Sequence, residues 1–188
     1  STQTLVAGVR NATPERRQAF LEWLHTGEEV RGGTPLRRAL QDAGEYYKRI
    51  DDAGPWADDP ENGSPDATSA HIECRQSFTI LTTDGFWNGA DPGLGNIDNQ
   101  DGQNPSSGHF NPKTGEVDFK YEARSPFSDS ESDTLADMAM EYWKNDLRPN
   151  LDNRVPTSGI DEAYWQHMRT YTVSFGLTGN VNPDDAFK

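Results

Sequence analysis

The sequence predicts an α/β protein with an open sheet of the doubly wound, Rossmann-like kind, on three observations. The elements run strand, helix, helix, strand, insertion, helix, strand, which is the order of an open α/β sheet. Leu36, Ala39, Leu40, Ala43, Tyr47 and Ile50 recur at helical spacing and make one apolar stripe. Residues 77–83, Ser-Phe-Thr-Ile-Leu-Thr-Thr, form a nearly continuous apolar and β-branched run that suits a strand covered on both faces.

The elements follow in order. Residues 4–9 read as a short strand. Thr13-Pro14 offers an N-cap and a proline at the first helical position, and Phe20, Leu21, Trp23 and Leu24 give the following helix an apolar face. Gly27 is placed to end it. Thr34-Pro35 repeats the cap-and-proline pattern ahead of the second helix. Residues 51–70, rich in Asp, Pro, Gly and Ser, read as a surface loop. After the strand at 77–83, residues 86–132 are too long for a simple connection and read as an insertion. Within it, Phe110, Val117, Phe119 and Tyr121 flank Asn111-Pro112-Lys113-Thr114-Gly115 as a small hairpin. Residues 133–147 form a third helix. Its two apolar stripes, Leu135, Met138, Ala139, Tyr142 and Ala136, Met140, Trp143, Leu147, predict burial over much of its circumference. Tyr171, Val173, Phe175 and Leu177 alternate with smaller residues as a last strand. The whole, 1–188, reads as one domain.

Composition narrows the function classes. The net charge of −14 argues against a nucleic-acid partner, because phosphate backbones are met by clustered Lys and Arg. The acids occur in short groups, such as Asp58-Asp59, that read as solvated loop charge. No apolar run reaches the ~18 residues of a membrane span, and the first residues lack the pattern of a signal peptide. The single cysteine, Cys74, excludes an internal disulfide.

In open α/β sheets ligands sit beyond the carboxyl ends of the strands. Thr34, in a Gly-rich loop before a helix, and Asp84, directly after the apolar strand, both fall there. A hydroxyl and a carboxylate together suit a hard divalent cation, magnesium or calcium, with a position left open for a partner's carboxylate. Taken singly, each residue has an ordinary reading: Thr34 as a helix cap, Asp84-Gly85 as a turn.

Gly32-Gly33-Thr34-Pro35-Leu36 and Thr82-Thr83-Asp84-Gly85 resemble the later two motifs of von Willebrand factor A domains. The resemblance implies that Thr34 and Asp84 belong to a metal-ion-dependent adhesion site. Cys74-Arg75-Gln76-Ser77, Asp84-Gly85-Phe86-Trp87-Asn88, residues 133–140, Tyr142-Trp143-Lys144-Asn145-Asp146-Leu147-Arg148-Pro149 and Trp165-Gln166-His167-Met168 resemble the PilC/PilY group of type IV pilus biogenesis factors and tip adhesins. The family's first motif, Asp-x-Ser-x-Ser on the central strand, is absent; Asp129-Ser130-Glu131-Ser132 has the wrong spacing and reads as helix-start chemistry. The resemblance thus implies a partial domain that begins on the edge strand and lacks the central one. It further implies an exported, non-enzymatic adhesion or assembly module at the bacterial surface, with pilus-tip proteins, minor pilins or host ligands as partners. Trp87 and Asn88, beside Asp84, are candidate partner contacts.

Other residues carry weaker signals. Cys74 reads as a small buried residue or as half of a disulfide to a segment outside this chain. Asn96-Ile97-Asp98-Asn99-Gln100-Asp101-Gly102 resembles a calcium loop in composition but not in spacing. The four histidines lack metal spacing. Two rival functions stand beside adhesion: a hydrolase using Asp84 as nucleophile or metal ligand, and a purely structural part of a pilus tip.

Overall fold

The computed structural model describes residues 8–26, 33–83, 87–103 and 119–175. Within them the order is α1 (Pro14–Thr26), α2 (Leu36–Tyr47), β1 (Phe78–Thr83), α3 (Leu135–Lys144) and β2 (Arg169–Ser174). β1 and β2 pair in parallel, Ile80 beside Tyr171, as a two-stranded sheet. The protein is therefore mixed α/β with three helices and a small parallel sheet among the described residues. The first predicted strand lies largely outside those residues, as do the hairpin tip and Gly27.

Local chemistry explains each boundary. The Thr13 hydroxyl accepts from Arg16 N at 3.3 Å at the start of α1, as its sequence predicts. At α2 the expectation needs correction. Pro35 itself occupies the cap position and no side chain caps the helix, so Thr34 stands one residue outside. α3 begins with a reciprocal capping box: the Thr134 hydroxyl accepts from Asp137 N, and the Asp137 carboxylate accepts from Thr134 N. This pair, not residues 129–132, starts the helix.

The main core lies where α2 meets α3 and the stretch entering β2. Leu40, Met138, Tyr142, Leu147 and Met168 are buried there. The approach is close because α2 carries Gly44: a Cβ at that position would lie 2.4 Å from the Tyr142 ring. The predicted stripe of α2 is thus shifted. Gly44 joins it, while Ala39 and Ile50 are exposed and Ile50 lies beyond the helix. A second cluster, Ala163, Tyr164 and Trp165, packs with Phe119 and Trp143.

Three further expectations are corrected. Residues 51–70 are not simply surface, because Trp56 is 1% exposed and its indole donates to Tyr47 O at 2.7 Å. β1 is covered on one face only: Leu81 is buried whereas Ile80 is 68% exposed. The alternation in the last strand turns Tyr171, Val173 and Phe175 outward, while Met168 and Trp165, just before it, enter the core. Periodicity identifies a two-faced strand but does not say which face meets the helices. α3 is buried on several sides as predicted, but two of its inward residues are Asp137 and Lys144.

Candidate functional site

Thr34 is gripped by Asn88. Its amide donates to Asn88 Oδ1 at 2.9 Å, and its carbonyl accepts from Asn88 N at 3.0 Å. Gly33 permits this approach, since a Cβ there would lie 2.0 Å from Asn88 Oδ1. Gly89 follows with φ of 114°, a conformation that favours glycine. Arg37, from the first turn of α2, then fastens the loop. It donates to Gly89 O at 3.2 Å and Asp133 O at 2.9 Å, and it pairs with Asp91. Beside these contacts is a cavity of about 290 Å³ lined by Pro35, Arg37, Arg38, Gln41, Asn88 and Asp91, among others.

Two of the predicted site residues, Thr34 and Asn88, are therefore brought together. Trp87 is partly exposed next to them. Asp84 lies outside the described residues, although Asn88, four positions further along the chain, is bonded to Thr34. Among the described residues, no group of three or more His, Cys, Asp or Glu side chains could hold a metal ion. The described part of this corner does not by itself make a cation site, because a hard cation takes six or more oxygens.

The calcium-like loop at 96–102 has a different filling. Lys144, on α3, inserts its ammonium between Ile97 O at 2.6 Å and Gln100 O at 2.7 Å. The Asp137 carboxylate accepts from Ile97 N at 2.7 Å and Asp98 N at 3.2 Å. A side-chain cation and a side-chain anion thus hold this loop from within. Burial lowers the pKa of Lys144, against the opposing pull of Glu141, Asp101, Asp98 and Asp137. Asp98 is pushed up, first by burial and then by Asp137 and Asp129.

A second polar centre holds the chain before β2. Asp161 accepts from Trp143 Nε1 at 3.0 Å, faces His167 Nε2 at 3.1 Å and pairs with Arg169. Burial would raise its pKa, but the bond and charge of His167, then Arg169 and Trp143, outweigh this and bring it to about 2. Arg148, fully buried, donates to Arg49 O at 2.9 Å and lies 3.0 Å from His71 Nδ1. An arginine only donates, so Nδ1 accepts and Nε2 is left to donate to Asp52 at 3.2 Å. Cys74 is exposed, which corrects the expectation of a buried residue.

These contacts place the Tyr-Trp-Lys and Trp-Gln-His segments in the interior. Tyr142, Lys144, Leu147, Arg148, Trp165, Gln166, His167 and Met168 are all buried. Gln166, for example, donates to Glu73 O at 2.7 Å and Asp152 O at 2.8 Å.

The same residues lie within a stretch shared with known proteins. The type IV pilus biogenesis factor PilY1 of Pseudomonas aeruginosa strain PAK is 36% identical over 189 residues, 92% of this chain. The chain is homologous to a segment of PilY1. The PilY1 proteins of strains PAO1 and UCBPP-PA14 are 35% and 34% identical, over 92% and 89% of the chain. In each case the chain spans only 14–15% of the relative's length. No protein-family model matches the chain, and no solved structure matches it. Among the described residues, no helix is long and apolar enough to cross a membrane.

Proposed function

We propose that this chain is a non-enzymatic adhesion or assembly module of an exported type IV pilus-tip protein, displayed at the bacterial surface. The observation that carries this reading is the homology to PilY1 over 92% of the chain. In this reading the domain is a partial von Willebrand factor A-like fold, with residues 86–132 inserted. Its working corner is the end of β1 and the start of α2. There the Thr34 hydroxyl and the Asp84 carboxylate would supply oxygens to a magnesium or calcium ion, with Trp87 and Asn88 meeting the partner. Minor pilins, other tip proteins and host ligands bearing a carboxylate are the partners this chemistry fits.

The grip of Asn88 on Thr34 supports the choice of corner, because it joins the loop after β1 to the start of α2 through both main-chain groups of Thr34. Calorimetric titration with magnesium, calcium and manganese tests the cation, using the chain and its Asp84→Ala and Thr34→Ala variants. Saturable binding that both variants lose is the expected result. Absence of binding to the parent chain would remove the cation from the proposal. A structural role in the pilus tip would then be the better reading.

A further inference from the structure

Among the described residues α1 touches no other helix or strand, and every residue from Arg10 to Thr26 is exposed. Its two aromatic rings nonetheless lie together, while Leu21 falls toward the opposite side. At 100° per residue, Arg16, Phe20 and Trp23 share one face, flanked by Arg17 and Leu24. Glu15, Gln18, Glu22 and His25 occupy the opposite face, where Gln18 donates to Glu22 at 2.9 Å. Phe20 and Trp23 stack with ring centroids 6.0 Å apart and planes inclined by 28°. With Arg10, Arg16 and Arg17 they line a cavity of about 630 Å³.

Three arginines around an aromatic pair make a locally basic surface on a chain of net charge −14. Arginine on the apolar face of a helix opposes burial against the helix's own core. It suits a ligand that brings carboxylates together with apolar side chains. The chain supplies its own example of the polar half: Arg16 is paired with the Glu61 carboxylate. Arg17 makes no ion pair among the described residues.

We propose that the arginine-aromatic face of α1 is a docking site for an acidic, apolar segment of a partner protein. Charge complementarity selects this occupant. A short peptide senses the charges within a Debye length of about 8 Å at physiological salt, and here Arg10, Arg16 and Arg17 outnumber Glu61, the acid paired with Arg16. An extended polyanion, such as an anionic membrane or a nucleic acid, meets the repulsion of the whole chain. A second copy brings the same excess negative charge. The surface shares no residue with the Thr34 corner, so the proposal does not rest on the cation reading.

The test uses the whole chain and a fluorescein-labelled peptide in which glutamates alternate with leucine and phenylalanine. A control peptide carries lysine in place of glutamate. Saturable binding of the acidic peptide by fluorescence anisotropy is expected, weakening with salt, and about tenfold weaker binding of the lysine peptide. Arg17→Glu and Trp23→Ala should each weaken the acidic peptide about tenfold, with Tm little changed because no residue of α1 is fully buried. Absence of acidic-peptide binding, equal binding of both peptides, or variants that bind like the parent would overturn the proposal. Displacement of the peptide by phosphatidylglycerol vesicles would assign the face to a membrane surface instead. Dimerisation in sedimentation velocity that Trp23→Ala abolishes would assign it to a second copy.

Discussion

Gly44→Ala should destabilise the protein, although the same change in most helices does the opposite. Alanine in a helix interior is favoured over glycine by about 1 kcal/mol. Here the new Cβ would lie 2.4 Å from three atoms of the Tyr142 ring, whereas carbon atoms pack best at about 3.5–4.0 Å. One side has to move by roughly 1 Å or more, and Tyr142 has little room, being 1% exposed. Its hydroxyl is also bonded to Glu45 Oε1 at 3.0 Å, and Lys48 sits over its ring at 5.0 Å. Overpacking of this kind costs ~1–3 kcal/mol, and loss of the Glu45 bond adds ~1. Set against the helical gain, the net loss is about 2 kcal/mol. For a chain of this size that lowers Tm by about 4–8 °C. Thermal denaturation followed by circular dichroism measures it. Pairing Gly44→Ala with Tyr142→Leu should cost less than the sum of the single changes, because the clash disappears with the ring. A Gly44→Ala protein as stable as the parent, or more so, would refute the close approach of α2 and α3.

Lys144→Met removes the ammonium from two buried carbonyls and should cost about 3 kcal/mol. Amide exchange at Ile97 and Asp98 should accelerate with it, and unchanged exchange would mean that Asp137 alone holds the loop. Asp161 gives a pH signature. Its pKa of about 2 in the folded protein lies below its ordinary 3.8, so its contribution is present above pH 3.8 and is lost as pH falls through about 2. The shift corresponds to about 2 kcal/mol. Asp161→Asn should therefore be less stable at pH 7 by about that amount, with the difference from the parent shrinking below pH 3.8. Urea denaturation at pH 7, 4 and 2.5 reads this out; a difference independent of pH would rule out the charge as its source.

Much of the α/β character was legible because it rests on local chemistry. Pro14 after Thr13, the apolar spacing of α2 and the β-branched run of β1 each act within a few residues, and all three elements are present. Of the candidate site, Thr34 and Asn88 were legible as residues, but their bond spans 54 positions and only the folded chain makes it. The calcium-like composition of 96–102 misled for a related reason: its cation is Lys144, 44 positions beyond Gln100. Trp56 was missed because it is a lone large apolar residue among Asp, Pro, Gly and Ala, with no periodicity to flag it.

The sequence by itself determined that helices follow Thr13-Pro14 and Thr34-Pro35, that a strand runs through 78–83, and the acidity that disfavours nucleic acid. It also carried the PilY-like segments, later matched by homology to PilY1. Tertiary structure decided which face of each element is buried. It turned Ile80, Tyr171 and Val173 outward, placed Lys144 and Arg148 inside, and left the whole of α1 exposed. The physical reason is range. Capping and periodicity act between neighbours in sequence, whereas burial and the pairing of buried charges depend on what other parts of the chain bring to the same place.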